Sequence, residues 1–324
     1  MNFSIIIPLY NKEKYVAKTI RTILSQTFQE FEIVIVDDGS TDQSVNQVKK
    51  IDDNRIRIIS QQNAGVSAAR NRGIAEAKYD LIAFLDADDL WEKDFLETIM
   101  NLQIKYSSCS IFAVNYKVLS NDGKMKIPLI NCLPANFKDG ILQNYFEIAS
   151  KSDPIICSIS LAMKKDAIES IGGFPIGIRA GEDLLTWARL AARYDIAYSI
   201  EPKAVFNRLD EGINIAPRIP DEHDKVGQEL RKLLTNNDQS RLKGLKDYIA
   251  YWHKIRMAIF IRLGKSKEAK REFYKMSEFT QKNLKFFIYA LLIYSPAWMR
   301  KSLNSSLLQL NTYRRKLMIK SEGN

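Results

Sequence analysis

Ile82-Ala83-Phe84-Leu85-Asp86-Ala87-Asp88-Asp89 is a short apolar run that stops abruptly in three carboxylates. An open parallel sheet binds its ligand just beyond the carboxyl ends of its strands, so acids placed there meet the ligand. Three clustered acids repel one another unless a cation joins them. Oxygen-only donors suit magnesium or manganese, ions that hold substrate phosphates as readily as protein. A metal-dependent enzyme acting on a nucleotide diphosphate compound is therefore expected. The competing explanation is a solvated turn with a helix N-cap, two roles in which Asp is common.

Upstream of this stretch, apolar runs of strand length alternate with helix-period segments, the pattern of a parallel sheet with crossover helices. Strands are expected over Phe3 to Pro8, Phe31 to Val36, Ile56 to Ser60 and Leu81 to Leu85, with helices over Tyr15 to Gln26, Gln43 to Lys50 and Gly65 to Ala77. Each strand ends in polar residues, so Pro8-Leu9-Tyr10-Asn11, Asp37-Asp38-Gly39-Ser40-Thr41-Asp42 and Asp86-Ala87-Asp88-Asp89 gather at one sheet edge. Downstream the alternation loosens. A helix is expected over Trp91 to Met100, with Asp89 as its cap. Ser110 to Leu119 reads as a strand entering a turn at Asn121-Asp122-Gly123, and Ile155 to Met163 as another strand. A loop with Gly172-Gly173-Phe174-Pro175 and Gly181-Glu182-Asp183 precedes a helix from Leu184 to Tyr194, and strands at Ile196 to Ile200 and Ala204 to Phe206 close the domain.

Gly and Pro cluster up to Pro220, a linker signal. The chain therefore divides into an α/β domain over 1–220 and a helical region over 221–324. In the latter, Leu245 to Leu263 and Lys265 to Phe279 form a helical hairpin turned at Gly264. The segment Phe286 to Met299 has no charge, contains Tyr289, Tyr294 and Trp298, is interrupted by Pro296, and is flanked by Lys282, Lys285, Arg300 and Lys301. It is too short to span a bilayer, which takes about 20 residues. Its composition suits a helix lying in a membrane interface, and equally one buried in the bundle or in a dimer contact.

Charge is unevenly spread. Residues 1–224 carry 26 Lys+Arg against 31 Asp+Glu, whereas residues 225–324 carry 22 against 7, so the overall +10 lives in the C-terminal third. Such a block meets nucleic acid, anionic lipid or an anionic substrate. The three cysteines, Cys109, Cys132 and Cys157, have no ligand-like spacing, which argues against a disulfide framework or a zinc site. The N-terminal stretch lacks a basic n-region and a long apolar h-region, so a cytoplasmic protein is expected.

Four stretches occur in order between residues 3 and 95: Ser4-Ile5-Ile6-Ile7-Pro8-Leu9-Tyr10-Asn11, Ile33-Val34-Ile35-Val36-Asp37-Asp38-Gly39-Ser40-Thr41-Asp42, Gln62-Asn63-Ala64-Gly65-Val66-Ser67-Ala68-Ala69-Arg70-Asn71-Arg72-Gly73, and Phe84-Leu85-Asp86-Ala87-Asp88-Asp89. Together they resemble family 2 of the inverting glycosyltransferases, which have the GT-A fold: a Rossmann-like α/β domain with a mostly parallel central sheet flanked by helices. The match continues more loosely to about residue 210 through Gly172-Gly173-Phe174 and Glu182-Asp183. The C-terminal hundred residues carry no strong family motif.

The resemblance implies a role for each of these positions. Pro8 and Tyr10 would give an apolar platform for the nucleotide base, with Asn11 beside them, and Asp38 would accept a hydrogen bond from the base. Asp86 and Asp88 match the family's DXD motif, the first acid near the ribose and the second binding Mn2+ or Mg2+. Arg70 would reach the diphosphate or pair with an acid of the cluster. Asp183 matches the family's general base, with Glu182 as its support or an acceptor contact. The family habit further implies a nucleotide-sugar donor, most simply a UDP-sugar. It also implies a glycan or lipid-linked acceptor and a peripheral position on the inner face of the cytoplasmic membrane, held at its anionic surface by the C-terminal region. A homodimer is an open option, and nucleic acid is not an expected partner.

Two departures stand out. Many GT-A enzymes complete the metal shell with a late His, yet the chain has only His223 and His253, and Asn207-Arg208 lies nearer that place. The Gln-x-x-Arg-Trp motif and membrane helices of processive members are lacking, so single addition is expected.

Three other classes share parts of the pattern. A dehydrogenase requires Gly-x-Gly-x-x-Gly where Pro8-Leu9-Tyr10-Asn11-Lys12 stands. A phosphoaccepting receiver has its acid pair after the first strand, not the second. The remaining alternative is a nucleotide-binding or nucleic-acid-binding protein on the same scaffold without transferase activity, motivated by the basic tail.

Overall fold

The structure, a computed structural model, describes residues 2–208, 219–235, 240–280 and 284–295. Two compact units divide at residue 245, Met1–Leu245 and Lys246–Asn324. This differs from the boundary expected at 220. The reason is the helix Lys225–Leu233, which packs on the helix Glu182–Ala191 of the first unit and is joined to it by Arg189–Glu229 at 2.7 Å.

The first unit opens with β1 (Phe3–Leu9), α1 (Val16–Leu24), β2 (Phe31–Asp37), α2 (Ser44–Lys49), β3 (Ile56–Ser60), α3 (Val66–Glu76) and β4 (Leu81–Phe84). It continues through β5 (Leu90–Trp91), α4 (Phe95–Lys105), β6 (Ile111–Leu119), β7 (Met125–Lys126), β8 (Asp139–Ile141), α5 (Tyr145–Lys151), β9 (Leu161–Lys164), α6 (Lys165–Ser170), α7 (Glu182–Ala191), β10 (Ile196–Asn207) and α8 (Lys225–Leu233). One sheet runs β3-β2-β1-β4-β9-β6-β10-β5, with β7 on β6 and β8 on β10.

The half formed by β3, β2, β1 and β4 is parallel throughout; β1, β2 and β4 read as mostly apolar runs and are buried almost throughout, whereas β3, at the sheet edge, is half-buried and carries Arg57. β9 then runs antiparallel between β4 and β6, while β6 and β10 are again parallel to each other. Two reversals restore direction, so β6 and β10 end at the same sheet edge as β1 and β4. Strand order reverses at β1, which lies between β2 and β4, so the crevice beyond these carboxyl ends is where a ligand is expected to bind.

One packed core joins β1 and β2 to α1 and α4 through Ile5, Ile7, Ile20, Ile33, Phe95 and Ile99. On the opposite face α3 lies unusually close to β1. A Cβ built on Gly73 would stand 2.3 Å from Ile6 Cγ2, closer than atoms approach. Gly73→Ala should therefore push α3 off the sheet, an overpacking cost of about 1–3 kcal/mol, visible as a lowered melting temperature.

Several expected elements moved. Trp91 belongs to β5, which pairs antiparallel with β10 through Trp91–Ala204 and Leu90–Val205, and α4 begins only at Phe95. The strand expected over Ile155 to Met163 shrinks to β9, because a turn closes ahead of it with Ser160 N donating to the Cys157 carbonyl at 2.9 Å. The two late strands are one, β10, broken by register shifts between Ser199, Pro202 and Ala204.

In the second unit the chain forms α9 (Leu245–Arg262), α10 (Ser266–Ser277) and α11 (Leu284–Tyr294), with Gly264 at φ +71° in the turn between the first two. Met257, Phe260, Phe273, Met276 and Ile293 form its core, and the Phe273 and Phe286 rings lie 5.1 Å apart. Inside it Glu272 meets His253 Nδ1 at 2.8 Å and Arg256 Nη2 at 3.2 Å. Burial alone would raise the Glu272 carboxyl, but these partners bring it down to about 2. One face of α11 therefore packs in the bundle, leaving Phe287 and Leu291 exposed. Lys282, Pro296, Trp298, Arg300 and Lys301 lie outside the described residues, as does most of the expected linker. Among the described residues no helix is long and apolar enough to cross a membrane.

Candidate active site

A cleft of about 430 Å³ opens at the carboxyl ends of β1 and β4. Pro8, Tyr10, Asp38, Asp86 and Asp88 line it, as the sequence led one to expect. The Tyr10 ring is 47% exposed, so it is no part of the core and is free to face a ligand.

Asp38 does more than line the wall. Its Oδ1 accepts from Gln61 Nε2 at 2.7 Å and from Ala64 N at 2.9 Å, and its Oδ2 accepts from Gly65 N at 2.8 Å. The carboxylate thus holds the loop that starts α3, where Gly65 takes φ +91°, a conformation that suits glycine. Each carboxylate oxygen has two lone pairs, so Oδ2 retains capacity for a ligand donor. Asn11 faces away from this wall. It takes φ +51°, its Oδ1 accepts from Thr41 N at 2.8 Å, and its own N–H donates to Ser40 Oγ at 3.1 Å. It ties the end of β1 to the loop after β2 and is not among the cleft-lining residues.

The acidic turn is built from its neighbours. Thr19 Oγ1 sits 3.0 and 2.9 Å from the carbonyl oxygens of Ala87 and Asp89 and fixes its backbone against α1. Asp86 Oδ1 accepts from Arg70 Nη2 at 2.7 Å and its Oδ2 from Ser158 Oγ at 3.3 Å. Asp88 pairs with the ammonium of Lys12.

Asp89 corrects its expected role as a helix cap. It is 1% exposed, Oδ1 accepts from Asn207 N at 2.7 Å, and Oδ2 is buried with no hydrogen-bond partner. Burial, with the charges of Asp86 and Asp88, pushes its carboxyl well above the usual range. Burial also raises Asp88, against the opposing pull of Lys12. Crowded, desolvated carboxylates with an orphaned oxygen are the chemistry of a divalent cation site for oxygen-preferring ions, and Asp88 with Asp86 presents its donors to the cleft.

Arg70 is buried behind this turn. Burial opposes its charge, but Asp86 above all, and then Asp183 and Glu182, hold its pKa above the ordinary value. Its guanidinium also lies 5.2 Å over the Phe174 ring. Phe174 is itself clamped to α3, with Asn71 Nδ2 donating to its carbonyl at 2.8 Å and Asn71 Oδ1 accepting from its N–H at 2.7 Å. Gly173, at φ +71°, permits this approach, since a Cβ there would stand 2.5 Å from Asn71 Oδ1. The Gly172-Gly173-Phe174 loop is thereby pinned to the donor half of the domain.

Glu182 and Asp183, expected just before a helix, are instead the first two residues of α7, behind Gly181 at φ +88°. Glu182 is buried, whereas Asp183 is half-buried with Oδ1 accepting from Leu184 N at 2.7 Å. Asn207 backs the acidic turn, its amide donating to the Asp88 carbonyl at 3.1 Å. Lys12, Tyr15 and Phe206 also line the cleft and were not singled out from the sequence. Lys12 stands two residues beyond Tyr10, a spacing that could have marked it.

Comparison with known proteins agrees with this geometry. Residues 4–171 match the family model described as Glycosyl transferase family 2. An uncharacterised glycosyltransferase of Rickettsia felis is 34% identical over 216 residues, 65% of this chain and 33% of that protein. TuaG of Bacillus subtilis, a glycosyltransferase named for teichuronic acid biosynthesis, is 30% identical over 61% of this chain and 75% of its own length. The chain spans about a third of the length of its Rickettsia felis and Rickettsia conorii relatives. Among solved structures, S. aureus TarS in complex with UDP-GlcNAc superposes with a TM-score of 0.67 at 16% identity, covering 95% of this chain and 92% of that one. The mannosyltransferase PcManGT of Pyrobaculum calidifontis, in complex with GDP-Man and Mn2+, gives 0.56 at 16% identity, covering 99% and 84%. At such identities the likeness is one of fold, and the fold is GT-A. The four N-terminal motifs, the cleft they build at the turning point of the sheet and the matched residues converge: the chain belongs to glycosyl transferase family 2.

Proposed function

We propose that this chain is a metal-dependent inverting glycosyltransferase that moves a sugar from a UDP-sugar to a hydroxyl of a glycan or lipid-linked acceptor. The observation that carries this reading is Arg70, whose guanidinium bonds Asp86 of the cation cluster and lies in the field of Asp183 and Glu182. Asp86 lines the cleft, and the charges of Asp183 and Glu182 act on the same guanidinium that holds it.

Pro8 and Tyr10 flank the base, and Asp38 orients it through Oδ2. Asp88, with Asp86, would hold Mn2+ or Mg2+, which when bound offsets the charge developing on the leaving diphosphate. Arg70 fixes Asp86, and Lys12 turns from Asp88 toward the phosphates. The acceptor hydroxyl enters from the face opposite the diphosphate, and Asp183 takes its proton on Oδ2, since Oδ1 is engaged by Leu184 N. Glu182, buried beside it, keeps the start of α7 in place.

A surface-glycan acceptor draws support from TuaG, whose name refers to teichuronic acid biosynthesis. Peripheral attachment to the inner face of an anionic membrane draws support from the basic C-terminal third, each Lys or Arg near such a surface contributing about 1 kcal/mol. A binding protein without transferase activity is the less favoured reading, because membership of the family supplies a reason for every acid in the cleft.

Calorimetric titration with UDP and GDP, each with and without Mn2+, tests the donor side. UDP should bind in a manganese-dependent manner, and Tyr10→Ala should weaken it by about 5- to 150-fold, the loss of about 1–3 kcal/mol expected of an aromatic–base contact, with the melting temperature unchanged. Manganese-independent binding, or a preference for GDP, would overturn the corresponding part of the proposal.

A further inference from the structure

Beyond the donor cleft, the sheet carries a row of side chains outward. Asn207 lines the cleft and touches the Asp88 carbonyl, its register partner on β6 is Leu119, and the partner of Leu119 on β7 is Met125. Residues opposed across neighbouring strands point to the same face, so these three form one line away from the acidic turn. Strands lie about 4.8 Å apart, which puts Met125 about 10 Å from Asn207.

At the outer end of that line the surface is apolar. Met125 is 53%, Ile127 56% and Leu129 40% exposed, every second residue of Met125-Lys126-Ile127-Pro128-Leu129. The strip is anchored at both ends. Gly123 N donates to the Ser120 carbonyl at 2.8 Å and Ser120 N to the Lys124 carbonyl at 2.9 Å, which closes the hairpin. Leu129 N donates to Asp153 Oδ2 at 3.1 Å, and Asp153 N returns to the Leu129 carbonyl at 3.1 Å. A turn needs no large apolar side chains facing water, and three of them on a fixed strip mark a contact surface. Lys124 is paired with Asp122 at 2.8 Å and the Asp153 carboxylate sits at the Leu129 end, while Lys126 stands between Met125 and Ile127 and brings a cation to the middle of the strip. The strip is thus greasy and basic together, and it adjoins the cleft where a sugar would be transferred.

We propose that Met125, Ile127 and Leu129 seat the hydrocarbon chain of an anionic, lipid-linked acceptor, with Lys126 beside its phosphate and its sugar hydroxyl lying along the Asn207–Leu119–Met125 row. The assignment rests on the glycosyltransferase reading of the cleft and adds where the lipid lies. A water-soluble glycan would have no use for the apolar strip, and a neutral lipid none for Lys126.

The test uses the full chain with phosphatidylcholine vesicles, plain or doped with hexadecyl phosphate, and measures co-sedimentation. The wild type should bind doped vesicles at least tenfold better than plain ones. The triple substitution Met125→Ser, Ile127→Ser, Leu129→Ser should lose at least tenfold of the binding to doped vesicles. Because those side chains lie outside the core, UDP affinity and melting temperature should be retained. Lys126→Glu should narrow the difference between doped and plain vesicles without touching the apolar strip.

Equal binding of doped vesicles by wild type and triple variant, measured in about 0.5 M salt so that attraction of the basic C-terminal third to the surface is screened, would overturn the assignment. So would a triple variant that changes only from dimer to monomer in sedimentation, since a second copy of the chain would then be what covers the strip. Failure of the wild type to bind any nucleotide diphosphate, UDP or GDP, would count against the donor-site reading of the cleft instead, while the vesicle comparison still judges the strip on its own.

Discussion

Asp88→Ala should abolish manganese-dependent UDP binding and lower kcat/KM by at least about 10³-fold, the upper end of what loss of one preorganised electrostatic contact produces. Asp86 and Asp88 both line the cleft, but Asp86 is tied to the buried Arg70, whereas Asp88 pairs with Lys12, itself a residue of the cleft wall. Under the proposed mechanism, removing Asp88 takes away a donor to the metal and leaves Lys12 without its partner, so residual nucleotide binding should be metal-independent and weak.

The variant should not be lost to unfolding, and the sign follows from the raised carboxyl of Asp88. A group whose folded pKa exceeds its unfolded one favours the fold below the unfolded pKa, and that contribution disappears as pH rises through the folded pKa. At neutral pH the ionised side chain is therefore a net cost to the ligand-free fold, chiefly through burial and also through Asp86. The melting temperature of Asp88→Ala should equal or exceed that of the wild type. A collapsed transition would mean that the acidic turn is a structural device, and calorimetry with Mn2+ alone would show whether any metal site remains.

The first ninety residues were largely legible because β1, β2 and β4 are buried almost throughout and read as mostly apolar runs ended by polar residues. β3 spans Ile56–Ser60 as expected, and the other three parallel strands differ by one residue at the carboxyl end. Legibility fails where pairing is long-range and short. β5 is two residues whose partners, Ala204 and Val205, lie more than a hundred positions on, and nothing local distinguishes Leu90-Trp91 from a helix start. Asp89 illustrates the same limit in the site. An acid before a helix-period segment reads as a cap, yet the backbone N–H of Asn207 draws it into the interior. Arg70 was legible as a partner of the acid cluster, but its place over the Phe174 ring was not, because the Asn71–Phe174 clamp that holds that ring spans 103 positions. The hairpin apolar strip was invisible for a simpler reason: Met125, Ile127 and Leu129 look like core residues until their exposure is known.

Asp183→Asn separates chemistry from binding. The amide keeps the size of the side chain and its place on α7, and an amide oxygen still accepts from Leu184 N, so UDP affinity with Mn2+ should change by less than about twofold. It cannot take a proton. Loss of a positioned general base costs about 10²–10⁴-fold, and the loss should appear in kcat with little change in the donor KM. Helix α7 loses one negative charge from its first turn, worth about 0.3–1 kcal/mol, a small decrease in melting temperature at most. Glu182→Gln is the informative companion. Glu182 is buried and Asp183 is not, so an acceptor hydroxyl reaches the second acid more readily than the first. If Glu182→Gln stops transfer while Asp183→Asn leaves it intact, the base is Glu182 and the acceptor approaches α7 from its inner side. If Asp183→Asn removes UDP binding along with transfer, Asp183 belongs to the donor site through Arg70, whose charge it helps to hold. Loss of turnover with donor binding preserved supports Asp183 as the base, and the anomeric configuration of the product then tests the proposed direct displacement, which requires inversion.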